Sequence, residues 1–189
     1  YISEELINLA EEPMQYMWGH HPTVGKPFLD ESCIIYTNAE YGFTLESRDF
    51  ETQRLKPGAR FTWPIAETEN GEVDFSKIPA ADAGIADMIY LSGFPENAFC
   101  EVYNRKLDIS YSINWDSGVF PYMWMWLVCG GALGYPWYGR TYNLALEPWT
   151  SYSENGLSGA IENDSAQTLA PHEIKRSNLC FRIKKHQKG

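Results

Sequence analysis

Short apolar runs and two-residue alternation, broken at regular intervals by Gly, Pro and Asn, dominate the chain. "AFCEVYN" (98–104) and "LDISYSINW" (107–115) alternate apolar and polar positions, as half-buried antiparallel strands do. "NLCFRIKK" (178–185) repeats the pattern near the end of the chain. "SCIIYTNA" (32–39), "RFTWPI" (60–65) and "DMIYLSGF" (87–94) add three further strands rich in β-branched and aromatic residues. From Pro121, alternation along "YMWMWL" sends Tyr122, Trp124 and Trp126 to one face and Met123, Met125 and Leu127 to the other.

Only "SEELINLAEE" (3–12) reads as helical, with Ser3 placed as an N-cap, although Ile2, Leu6, Ile7 and Leu9 also fit a strand. The polar stretch 67–84 reads as a long surface excursion. "RLKPGARFTWPI" and "TLAPHEIKRSNLCFRI" both set Leu-x-Pro in a turn before a strand, which two hairpin entries explain without a true repeat. Many strands at this spacing predict an all-β sandwich, with residues 1–189 as a single domain.

Composition narrows the partners. The 189 residues carry 15 Lys and Arg against 25 Asp and Glu, a net charge of −10 that argues against a phosphate-backbone partner and so against nucleic acid. The basic cluster "RIKKHQKG" reads as a solvated tail. No apolar run approaches the ~20 residues that span a bilayer, so no membrane role is expected. Cys33, Cys100, Cys129 and Cys180 lie far apart without Cys-x-x-Cys spacing, which predicts buried free thiols and a reducing, cytoplasmic setting. The chain shows no charged-then-apolar leader, and its first residue is Tyr1, which predicts a processed or truncated start.

Three segments could carry chemistry. In "WGHHPTVG", alternation points His20 and His21 to opposite sides, which disfavours a shared metal and leaves structural and acid–base roles open. In "YNLALEPWTS", Glu147 interrupts an apolar strand beside Trp149, a costly position unless the carboxylate is paired or faces a cleft. A salt bridge to Arg140 and a base of raised pKa explain it equally well. The rings of Trp124 and Trp126 suit either core packing or the flat C–H face of a sugar.

Together, "MWGHHPTVGKPFL", "FPYMWMW" and "YPWYGRTYNLALEPWTS", in that order, resemble the aldose 1-epimerase (galactose mutarotase-like) family. "RLKPG" and "LAPHE" stand where that family has Leu-x-Pro-Gly turns. The resemblance implies a large antiparallel β-sandwich, the supersandwich of galactose mutarotases, here starting after the family's first strands. It also implies interconversion of the α and β anomers of a monosaccharide without a cofactor. On this resemblance His21 is the general acid and Glu147 the general base. Asp87 matches an aspartate that binds sugar hydroxyls, and His20, Trp124 and Trp126 shape the sugar pocket. The family's N-terminal strands carry an arginine and a further histidine that this chain lacks. Two alternatives stay open: a sugar-binding sandwich without turnover, and an interaction fragment that forms a homo-oligomer through an exposed sheet edge.

Overall fold

The computed structural model describes residues 1–47 and 49–186. In chain order the strands are β1 (Ile2–Ile7), β2 (Met14–Tyr16), β3 (Thr23–Gly25), β4 (Cys33–Thr37) and β5 (Tyr41–Phe43). They continue with β6 (Arg60–Thr62), β7 (Ile65–Thr68), β8 (Gly71–Asp74), β9 (Ile85–Ser92) and β10 (Asn97–Asn104). The last are β11 (Ile109–Asp116), β12 (Tyr122–Cys129), β13 (Tyr142–Trp149), β14 (Gln167–Leu169) and β15 (Ile174–Lys185). The helix α1 (Gly156–Glu162) lies between β13 and β14.

Two antiparallel sheets account for most of these strands. One has the order β1-β15-β11-β10-β4, and the other β3-β13-β12-β9-β5-β6. Their facing sides meet in a dry core. Met123, Met125, Leu127, Ile89, Leu91, Leu144 and Leu146 from the second sheet join Ile35, Cys100, Val102, Ile113 and Leu179 from the first. The β12 alternation read from the sequence holds, since its methionines and Leu127 are fully buried while Tyr122, Trp124 and Trp126 stand on the opposite face. That opposite face, turned away from the core, positions the site.

Three expectations change. The segment read as helical is strand β1, paired along its length with β15 from Ile2↔Leu179 to Ile7↔Ile174. Sheet pairing outweighs the modest helix preference of its glutamates and leucine. The excursion 67–84 holds the β7–β8 hairpin and then returns to the interior, where Phe75 and Ile78 fill the core. The basic "RIKK" is solvated but is the end of β15, with Ile183 opposite Tyr111 and Lys185 opposite Ile109; residues 187–189 of that tail lie outside the described residues. Cys33, Cys100, Cys129 and Cys180 are free thiols, the first three buried.

Candidate active site on the outer face of the second sheet

Strand register builds the floor of the site. Glu147 on β13, Trp124 on β12, Tyr90 on β9 and Phe43 on β5 are successive cross-strand neighbours. The row beside it runs Ala145, Trp126 and Met88. Trp149, two residues beyond Glu147, shares its face. Its ring stacks on Trp124 with centroids 4.6 Å apart and planes 19° from parallel. The Trp124 indole is fixed in turn by donating its N–H to the Ser151 carbonyl at 2.8 Å.

Residues 18–22 run beside the end of β13. The His20 N–H donates to the Pro148 carbonyl at 3.0 Å, the Thr150 N–H to Trp18 at 2.8 Å and the Leu146 N–H to Pro22 at 3.1 Å. Gly19 bridges to Trp149, and a Cβ there would lie 2.1 Å from the indole Cδ2, so only glycine lets the backbone pass under the ring. The next residues then diverge. His20 turns away to bond Glu4 at 3.0 Å and pack edge-on against Phe120. His21 sets Nδ1 2.7 Å from Oε2 of Glu147, its ring tilted over Trp126 at 5.9 Å.

Glu147 is buried and His21 half exposed, their side chains being 5% and 56% accessible. The Trp149 indole N–H also donates to Oε2, at 3.1 Å. Burial pushes the Glu147 carboxyl above the ordinary carboxylate range, while the bonds from His21 and Trp149 pull it back. Arg140 takes no part. The carboxylate is paired and faces a cleft.

That cleft is a cavity of about 470 Å³, lined by His21, Glu147, Trp124, Trp126, Trp149, Tyr90, Met88 and Phe50, with the carboxyl groups of Asp49 and Glu154. The volume falls within the roughly 300–1,000 Å³ of small-molecule sites. Asp49 and Phe50 come from the long β5–β6 connection, which Thr52 ties to the Gly131 carbonyl at 2.8 Å. Glu154 comes from the turn before α1 and accepts a hydrogen bond from the Ser47 hydroxyl. Asp49 and Glu154 are themselves in hydrogen-bond contact, which two carboxyl groups achieve only with a proton between them. Burial and the neighbouring Glu154 push Asp49 up from 3.8 to about 7, and the same contact holds Glu154 below its ordinary range.

This pair carries a pH signature. Between pH 3.8 and about 7 the folded chain keeps the Asp49 proton and the unfolded chain loses it, so stability falls as pH rises across that window. The lowered Glu154 acts at more acidic pH, below its ordinary 4.5. Asp49→Asn is expected to remove part of the decline. After allowance for solvent screening at this half-buried site, the gain at pH 8 is on the order of 1 kcal/mol, or roughly 2–4 °C in Tm. Thermal unfolding of both proteins at pH 5 and pH 8 checks it.

The structure thus brings His21, Glu147, Trp124 and Trp126 together and leaves His20 and Asp87 apart. Asp87 faces the core side of β9, opposite Leu127, and is fully buried. Both its oxygens are taken by Arg54: Oδ1 accepts the Arg54 backbone N–H at 2.9 Å, and Oδ2 accepts Nε and Nη2 at 2.8 and 2.7 Å. Bound in that way, it stands outside the cavity and anchors the β5–β6 connection to the sheet. Six cavity residues are not among those the sequence points to. Met88, Tyr90 and Trp149 were within reach of alternation along their strands, whereas Asp49, Phe50 and Glu154 arrive on irregular connections that carry no periodicity.

Solved structures share this architecture. A candidate aldose 1-epimerase from Klebsiella pneumoniae subsp. pneumoniae superposes with a TM-score of 0.68 at 17% identity, covering 96% of this chain and 41% of that one. A galactose mutarotase-like protein from Clostridium acetobutylicum gives 0.61 at 18% identity, over 97% of this chain and 52% of that one. A galactose mutarotase related enzyme from Lactobacillus acidophilus gives 0.62 at 14% identity, over 98% and 56%. The fold is therefore that of the mutarotase-like β-sandwiches, and the chain spans about half the length of these three structures or less. By sequence, residues 1–183 match the family described as Domain of unknown function (DUF4432), and the chain belongs to it. No curated protein sequence matches it significantly. No helix among the described residues is long and apolar enough to cross a membrane.

Proposed function

We propose that the cavity is a mutarotase site that opens and recloses the ring of a free monosaccharide. The observation that carries this reading is the His21–Glu147 pair, hydrogen-bonded at 2.7 Å at the wall of an aromatic-lined cavity. Acid and base touch, and the chemistry follows from that contact. Oε2 of Glu147 is occupied by His21 and Trp149, which leaves Oε1 to take a proton and the distal His21 Nε2 to give one.

In the sugar, the C1 hydroxyl oxygen and the ring oxygen are bonded to the same carbon, so one joined acid–base unit serves both. Starting from an imidazolium–carboxylate pair, Glu147 takes the hydroxyl proton and His21 protonates the ring oxygen as the C1–ring oxygen bond breaks. The open aldehyde rotates about C1–C2. The ring hydroxyl then attacks the other face of C1, returning its proton to His21, while Glu147 protonates the new C1 oxygen. Protons and electron pairs balance over the cycle, which requires no cofactor. The low polarity of the surroundings favours the neutral pair formed midway, in keeping with the raised Glu147 pKa.

Polarimetry or NMR exchange on freshly dissolved α-glucose and α-galactose tests the reading. Acceleration by the wild-type chain, lost in His21→Ala, is the expected result. Acceleration that survives both His21→Ala and Glu147→Gln would refute it, and saturable sugar binding without exchange would mark a binding module.

A further inference from the structure

Two polar atoms at the cavity are buried without a hydrogen-bond partner among the described residues: the Tyr90 hydroxyl and the Trp126 indole N–H. Both residues line the same cavity as the Asp49–Glu154 carboxyl pair. Tyr90 is wholly buried at 0% exposure, so water does not satisfy its hydroxyl from the surface. Its ring is gripped by Phe43, stacked at 5.4 Å, and by Trp124, edge-on at 5.4 Å. A rigidly held hydroxyl with no partner is uncommon in a folded protein and calls for one that arrives.

The chemistry of these groups selects that partner. Trp126 offers only a donor, the Asp49–Glu154 pair offers the lone pairs its shared proton leaves over, and Tyr90 offers either. A sugar hydroxyl donates and accepts at once and so answers both kinds. An ammonium group has no acceptor for Trp126 once it is protonated, and a phosphate brings negative charge against Asp49 and Glu154. The stacked indoles of Trp124 and Trp149 beside them suit the apolar face of the same ring.

We infer that Asp49, Glu154, Tyr90 and Trp126 form a hydroxyl-recognition subsite that holds two neighbouring ring hydroxyls of an uncharged sugar. The subsite rests on the mutarotase reading for its ligand class and extends it. It supplies the carboxyl contact expected of Asp87 from a different part of the chain, and it restricts the substrate to neutral sugars rather than sugar phosphates or amino sugars.

Equilibrium binding, measured by calorimetry or NMR titration at pH 7, tests this apart from turnover. The probes are D-galactose, D-glucose, D-galactosamine and D-galactose 6-phosphate. The expected result is binding of at least one neutral hexose, with the amino and phosphate forms of galactose bound at least tenfold more weakly than galactose itself. Asp49→Asn and Glu154→Gln are each expected to weaken the neutral sugar about tenfold. Tyr90→Phe is the sharper variant. It deletes an unpartnered hydroxyl without changing the ring, so its Tm should hold or rise while sugar affinity falls about three- to tenfold. A structural role would move both in the same direction.

Unchanged affinity in Tyr90→Phe and Asp49→Asn would overturn the inference, as would tighter binding of galactosamine or galactose 6-phosphate than of galactose. No binding of either neutral hexose by the wild-type chain would overturn it too. Sugar binding with the expected losses but no anomer exchange would leave the subsite standing and remove the enzymatic reading alone.

Discussion

Glu147→Gln is expected to slow anomer exchange by about 10²–10⁴-fold, the usual worth of a positioned general base. Glutamine keeps the shape of the side chain and can still accept the Trp149 indole N–H, so the cavity is expected to persist. What it loses is the capacity to take the C1 hydroxyl proton at Oε1. It also removes a carboxylate whose burial is costly, so Tm should not fall. The contact between Glu147 and His21 adds a second expectation. If the two act as one unit, the double variant His21→Ala/Glu147→Gln should be little slower than either single variant, because each alone already disables the pair. Multiplicative losses would instead mean two independent groups. Polarimetric rates on the three proteins, with Tm as the control for folding, decide between these outcomes.

The other large effect concerns the anchor beneath the site. Arg54→Ala strands Asp87 in the sheet interior with no cation, and breaking a buried pair in this way costs about 3–5 kcal/mol. In a chain of this size that corresponds to a drop of roughly 10 °C in Tm. Arg54 also lies over the Phe75 ring at 4.4 Å, so the substitution opens packing as well as charge. Replacing both partners, Arg54→Met with Asp87→Leu, should recover part of the loss, since an apolar pair of side chains needs no countercharge and only the Arg54 backbone N–H loses its acceptor. Thermal unfolding measures both variants. The single variant should also weaken sugar affinity, because the connection carrying Asp49 and Phe50 is tied to β9 at this point. If Arg54→Ala melts with the wild type, the pair is not the anchor described here.

Much of this was legible in the chain, and its limits have physical causes. Strands β10, β11, β12 and β15 alternate because each has one face in a dry core, and that requirement writes itself into the residue pattern. The same rule separates His20 from His21 and places Trp124 and Trp126 on the cavity side. Applied to "DMIYLS", it sets Asp87 in phase with Ile89 and Leu91 and so on the core face, which argues against the sugar contact that family resemblance implied. Parity was there to be used. The β1 segment misleads because Ile2, Leu6, Ile7 and Leu9 satisfy either period, and only the partner strand β15 decides. Asp49 and Glu154 could not be found in this way. Their meeting joins residues 105 positions apart through two irregular connections, and it depends on tertiary geometry that no local pattern encodes.

The stacked indoles of Trp124 and Trp149 have a use beyond the sugar contact proposed for them. Two chromophores 4.6 Å apart share their excitation, and where their transition dipoles are skewed within the stacked planes the coupling gives an optical activity that neither has alone. Because one of the two also bonds Glu147, any occupant that shifts the carboxylate should alter that signal. The site therefore carries its own circular-dichroism reporter, readable without label or coupled assay.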